Sequence, residues 1–102
     1  MRKLHHPSLQ EIPIFIVLRA LSDPVRLDIV KTLAASGEQC CGACGEDIPK
    51  PTMSHHFKVL REAGIIETRL EGTQRCISLR RRELDARFPG LLKAVLRAVE
   101  SL

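Results

Sequence analysis

The stretch Thr52-Met53-Ser54-His55-His56-Phe57-Lys58-Val59-Leu60-Arg61-Glu62-Ala63-Gly64-Ile65-Ile66 decides the fold of this chain. Met53, Phe57, Leu60 and Ala63 recur at three- and four-residue steps, so one side of a helix over this stretch is apolar. Ser54, His55, Lys58, Arg61 and Glu62 fall on the opposite side. Pro49 and Pro51 punctuate the chain just before it, Thr52 is placed to N-cap the helix, and Gly64 is placed to end it. A helix with a polar, hydrogen-bonding outer face, entered through a tight turn, is what reading a DNA groove requires.

Beyond this helix, Ile65 to Leu70 and Thr73 to Leu79 read as two short strands around Glu71-Gly72, whose glycine permits the positive φ of a hairpin turn. Arg69 and Arg75 lie near the tip. Arg80-Arg81-Arg82 leads into Glu83 to Phe88, and Pro89 is expected to open a final helix. Leu91, Leu92, Val95, Leu96, Val99 and Leu102 give that helix a wide apolar stripe. On the other side of the deciding stretch, Ile12 to Leu21 predicts a helix with Pro13 in its first turn. Asp23 then caps a second helix that Pro24 opens and Gly37 closes. Val25, Ile29, Val30, Leu33 and Ala34 form its apolar face. Between Glu38 and Pro49, Gly42 and Gly45 interrupt any periodicity, and a short or irregular helix is expected.

The chain has 102 residues, enough for one domain. We divide it into a flexible arm, 1–11, whose tandem His5 and His6 could ligate a metal but are more often solvated in such a terminus, and a folded domain, 12–102. Hydrophobic residues make up 44% and charged residues 27%, a composition that can build a core. The only aromatics are three Phe, so packing rests on aliphatic side chains, as helical domains allow. No run approaches the roughly 20 apolar residues that cross a bilayer, and no secretory cleavage pattern follows the basic N-terminus. Cytoplasmic residence, no membrane contact and reduced thiols are therefore expected. The net charge of +4 is unevenly placed: Lys50 to Arg82 holds eight Lys or Arg against three Glu. That concentration favours a polyanionic partner.

The order helix, helix, short helix, turn, polar helix, basic hairpin, helix resembles the arsenic-repressor (ArsR/SmtB) family of bacterial regulators. Three stretches carry the resemblance: Leu18 to Val30, with its Asp23-Pro24-Val25-Arg26 helix start, Thr52 to Ile66, and the hairpin tip Arg69 to Thr73. Together they span most of residues 18 to 79. The resemblance implies a mainly α winged helix-turn-helix with a small β-hairpin as its wing. It also implies a dimeric repressor that binds operator DNA and leaves it when an inducer binds or a group is oxidised. The residues matching the family's base- and phosphate-contacting segment are Lys50, Pro51, Thr52, Ser54, His55 and His56. The stretch Cys41 to Pro49 departs from the family by being shorter and richer in glycine.

From the residues themselves, Lys50, Lys58, Arg69 and Arg75 are candidates for phosphates, and Ser54 and His55 for base edges. His56 either joins them or packs against the wing. The apolar first and last helices suit pairing with a second copy, since one small core has difficulty hiding both stripes. Cys40, Cys41 and Cys44 lie within five residues and can converge on a thiophilic metal or metalloid ion or form a disulfide. They lie where arsenic-sensing relatives carry a Cys-Xaa-Cys pair, at a different spacing. The alternative is inert packing, which is also the expectation for Cys76. An enzyme is disfavoured, because no phosphate-binding glycine loop or triad signature is present. A winged-helix protein-interaction module, or a regulator without metal or redox sensing, is the rival reading.

Overall fold

The computed structural model of the chain describes residues 2–3, 6–40, 50–71 and 74–100. Within the described residues, helices and strands follow one another in a fixed order. β1 (Arg2–Lys3) is followed by a 3-10 turn (Leu9–Glu11), α1 (Ile14–Leu21), α2 (Pro24–Ser36) and β2 (Gln39–Cys40). Then come α3 (Lys50–Glu62), β3 (Ile66–Glu71), β4 (Gln74–Leu79), α4 (Arg81–Arg87) and α5 (Leu91–Glu100).

The helix boundaries follow from capping chemistry. Asp23 Oδ2 accepts from the backbone N–H groups of Val25 at 2.9 Å and Arg26 at 3.1 Å, with Pro24 in the first turn, as the sequence suggested. Pro13 differs: it is extended (φ −67°, ψ 149°) and stands before α1 rather than within it. Thr52 also differs, because α3 begins at Lys50 and Thr52 falls inside its first turn instead of capping it. Pro51 is tolerated there because the first-turn N–H groups have no intrahelical acceptor. Pro89 does not open the last helix either. The chain turns through Gly90 (φ 82°) and α5 starts at Leu91.

α3 ends on a hydrogen-bonded glycine turn. The Ile65 N–H donates to the Leu60 carbonyl at 3.0 Å and the Gly64 N–H to that of Arg61 at 3.0 Å. Both orphan carbonyls are thus satisfied while Gly64 takes φ 78°. A side chain at Gly64 would also meet Leu9 Cδ2 at 2.6 Å and Ile12 Cδ1 at 2.7 Å, so the N-terminal segment is packed against this turn.

The sheet is antiparallel throughout, in the order β1-β3-β4-β2. Its long members, β3 and β4, pair from Ile66↔Leu79 to Glu71↔Gln74 and form the expected wing hairpin. Among the described residues, its outer members pair at Arg2↔Leu70 and Lys3↔Arg69 on one edge and at Gln39↔Ile77 and Cys40↔Cys76 on the other. β2 stands where an irregular helix was expected to begin. Residues 41–49, which carry the rest of that expectation, lie outside the described residues.

The helices and the sheet enclose one core, to which Leu84 of α4 and Leu92 of α5 also belong. Val17, Ala20 and Leu21 of α1, Ile29, Val30 and Leu33 of α2, Met53, Phe57 and Leu60 of α3, and Ile66 and Ile77 of the wing are all buried. Each buried aliphatic or aromatic side chain of this size stabilises the fold by about 1.5–3 kcal/mol. Part of the segment expected to be a flexible arm belongs to this core: Leu9 is buried, and Ser8 caps the 3-10 turn. His6, expected in solvent, accepts from the Thr68 backbone N–H through Nε2 at 2.9 Å.

Candidate nucleic-acid interface

The amphipathic pattern of α3 is realised side by side. Met53, Phe57 and Leu60 are buried, whereas Thr52, Ser54, His55 and Lys58 are exposed. Lys50 and Pro51 occupy the first turn of the same helix. Four candidate residues thus share the open side of a helix whose other side is locked into the core. That gives an outward polar surface rigid support.

His56 does not belong to that surface. It is buried (8% exposed), and its Nδ1 lies 3.2 Å from Arg26 Nη1 and 3.8 Å from Asp23 Oδ2. Of the two expectations for His56, its burial agrees with that of an internal residue, and the contacts it makes are at the start of α2. Arg26 also donates from Nε to the Ala20 carbonyl at 2.6 Å, near the end of α1. One arginine therefore fastens α1, α2 and α3 together where a helix-turn-helix must hold its angle. Burial acts to raise the Asp23 pKa. The Arg26 backbone N–H, the Arg26 charge, His56 and the Val25 N–H outweigh it and hold the carboxyl below its ordinary 3.8. Pattern reading could not find this arrangement, because His56 meets Asp23 and Arg26 only across helices.

The two wing arginines are both engaged within the protein. Arg69 makes a two-pronged ion pair with Glu38, Nη1 to Oε2 at 3.0 Å and Nη2 to Oε1 at 2.9 Å. The Arg75 guanidinium sits over the Phe57 ring at 5.8 Å from its centre. Arg75 is half-buried, stacked between wing and recognition helix rather than extended from a tip.

The two described cysteines, Cys40 and Cys76, are arranged differently from the sequence expectation. Cys40 is bonded to Cys76, residues that face each other across β2 and β4 with Cα atoms 4.0 Å apart. The expectations of reduced thiols and of a merely packing Cys76 are corrected for this pair. Cys41 and Cys44, the other members of the expected cluster, lie outside the described residues.

An exposed polar helix face, seated on two helices and flanked by a β-hairpin, is the arrangement of a winged helix-turn-helix. Comparison with known proteins agrees. Residues 21–69 match the family model described as a helix-turn-helix domain. The chain is 43% identical over 82 residues to the uncharacterised HTH-type transcriptional regulator YceK of Bacillus subtilis, covering 78% of this chain and 82% of that one. The chain belongs to the helix-turn-helix transcriptional regulators. It is also similar to the arsenical resistance operon repressor of Staphylococcus xylosus, 37% identical over 71 residues, which are 68% of this chain and 67% of that protein. Its fold matches the crystal structure of the transcriptional repressor BigR from Xylella fastidiosa at a TM-score of 0.64 and 34% identity, over 83% and 84% of the two chains. These relatives are in keeping with the resemblance to the ArsR/SmtB family and make this regulator a DNA-binding protein of winged-helix type. Among the described residues, no helix is long and apolar enough to cross a membrane.

Proposed function

We propose that this regulator is a cytoplasmic, non-enzymatic homodimeric repressor that reads operator DNA with the open face of α3 and is released by an inducer. The observation that carries the reading is the split of α3. Thr52, Ser54, His55 and Lys58 are exposed above buried Met53, Phe57 and Leu60. Ser54 and His55 are the base-edge candidates. Lys58 and Lys50 are the phosphate candidates, and Pro51 and Thr52 set the entry of the helix into the groove. Arg69 and Arg75 contribute to a phosphate surface only if their present partners, Glu38 and the Phe57 ring, let go.

The dimer rests on a second observation. Beside its buried face, α1 carries apolar side chains that are open: Ile14, Phe15 and Leu18 are exposed, Phe15 at 57%. On α5, Leu92 is buried while Leu91, Val95, Leu96 and Val99 are only half-buried. A core that leaves these side chains in water is completed by a second copy bringing the same helices, and two recognition helices then match half-sites about 34 Å apart. The cysteine-bearing segment, Cys40, Cys41 and Cys44, precedes α3 and is the proposed place of release, by oxidation or by a thiophilic metal or metalloid ion.

Fluorescence anisotropy on a duplex from the region upstream of the regulator's own gene, with a random duplex as control, tests the reading. Binding by a dimer that prefers the upstream duplex and weakens steeply as salt rises supports it. Equal affinity for both duplexes, or none for either, refutes it.

A further inference from the structure

Four residues near the edge of the wing form one device. Arg69 of β3, Cys76 of β4 and Cys40 of β2 lie in a single row across the sheet, through the pairs Arg69↔Cys76 and Cys40↔Cys76. Glu38, two residues before Cys40, reaches back over that row to grip Arg69 with both carboxylate oxygens. Among the described residues, β2 pairs with β4 at Gln39↔Ile77 and Cys40↔Cys76. The Cys40–Cys76 bond ties this edge covalently to the wing.

We propose that Cys40 and Cys76 form a reversible thiol–disulfide latch whose closed state holds Glu38 against Arg69 and so cancels the wing's cation toward DNA. The inference rests on the DNA-binding reading and deepens it by naming the regulated site. Within the cysteine-bearing segment it singles out Cys40, whose partner is Cys76 of the wing. The oxidant is a low-molecular-weight disulfide. Cys40 is half-buried and Cys76 almost fully buried, so the reagent meets Cys40 first. The Cys40 thiolate attacks one sulfur of the small disulfide, and the other leaves as a thiolate that takes up a proton. The Cys76 thiolate then attacks the Cys40 sulfur of the mixed disulfide, forming the Cys40–Cys76 bond and expelling the second small thiolate. Two electrons pass from the protein thiols to the small disulfide, which leaves as two thiols carrying the two protons the cysteines lost. Reduction reverses each step, β2 loosens from β4, and the Glu38–Arg69 pair exchanges with DNA phosphate.

The consequence is a weaker complex when the latch is closed. Withdrawing one wing cation per protomer from DNA phosphate, two in the dimer, lowers the salt slope by about 1.8 and weakens binding roughly tenfold or more at about 0.1 M salt.

The test uses the full chain carrying Cys41→Ser and Cys44→Ser, so that only Cys40 and Cys76 remain, treated with dithiothreitol or with oxidised glutathione. Peptide mapping by mass spectrometry reads the cross-link, and anisotropy on the upstream duplex reads affinity. A Cys40–Cys76 cross-link with at least tenfold weaker binding after glutathione disulfide, restored by dithiothreitol, is expected. Adding Cys76→Ser should abolish the response, and Glu38→Gln should shrink it while leaving the cross-link intact. No cross-link, a cross-link with affinity changed less than twofold, or an unchanged response in the Cys76→Ser chain overturns the proposal. If the reduced protein binds no DNA, the regulator reading fails separately, and amide exchange decides the latch. Slower exchange at Gln39, Cys40 and Ile77 in the oxidised form supports it, and equal exchange in both forms rejects it.

Discussion

Replacing Gly64 by alanine probes how the recognition helix is seated. Two costs arise from the structure. Gly64 has φ 78°, where an L side chain is strained, and the left-handed conformation costs about 1–2 kcal/mol. The new Cβ would also stand 2.6 Å from Leu9 Cδ2 and 2.7 Å from Ile12 Cδ1. Both neighbours are buried core side chains, so they cannot swing into solvent, and overpacking of this kind costs about 1–3 kcal/mol. The sum, about 2–5 kcal/mol, is a large share of the stability of a small domain. Urea unfolding followed by circular dichroism should show the midpoint falling by roughly 1–3 M, taking a slope of about 1.5 kcal/mol per M. Gly90→Ala supplies the control. It has φ 82° but nothing within 4 Å of its added Cβ, so it should show the backbone part alone. Leu9→Ala supplies the converse, since removing the obstructing side chain should make Gly64→Ala cheaper than in the parent, a coupling that a double-mutant cycle measures. If Gly64→Ala costs no more than Gly90→Ala, and Leu9→Ala leaves its cost unchanged, the packing of the N-terminal segment against α3 is refuted.

Asp23→Ala should lower stability by about 1 kcal/mol at neutral pH through loss of the α2 cap. Because the folded-state pKa of Asp23 is lowered, that contribution is complete above the ordinary value of 3.8 and is lost as pH falls through the lowered folded value. The gap between wild type and variant, read by chemical denaturation at successive pH values, should therefore close on acidification; a gap that widens would contradict the sign. Phe15→Asp with Leu18→Asp should yield a folded monomer by light scattering, since both residues are exposed in the single chain. A dimer that survives these charges would place the interface elsewhere. Lys58→Ala should weaken binding to operator and random duplexes alike and flatten the salt slope by about 1.8 for a dimer, one phosphate contact per protomer. An unchanged slope would take Lys58 out of the interface.

Much of the fold was legible because it is carried by local signals. The Asp23-Pro24 cap, the three- and four-residue steps through α2 and α3, and the hairpin around Glu71-Gly72 each depend on residues close in sequence. The recognition helix was legible for the same reason, and its exposed Ser54, His55 and Lys58 follow from periodicity. What local pattern could not show is pairing across elements. His56 fits a polar helix position, yet Arg26 and Asp23 of α2 draw it inward. Arg69 has the position of a wing-tip cation, yet Glu38 claims it from 31 residues away. Cys40 reads as one of a crowded trio, but strand register sets it opposite Cys76, 36 residues on. Leu9, in a stretch that reads as an arm, is buried because Gly64 leaves space for it.

If the open face of α3 reads DNA sequence, its side chains set how far the regulator discriminates between duplexes. The measurement is the ratio of affinities for the upstream duplex and a random duplex at one fixed salt concentration, for the reduced wild type and for Ser54→Ala with His55→Ala. Both side chains are exposed, so the double variant should keep its circular dichroism spectrum and its urea midpoint. Its affinity for the upstream duplex should fall by about tenfold or more, the loss expected for a base contact worth about 1–3 kcal/mol, while affinity for random duplex stays within about twofold. A folded variant that retains the wild-type ratio would contradict the account and assign base reading to another element.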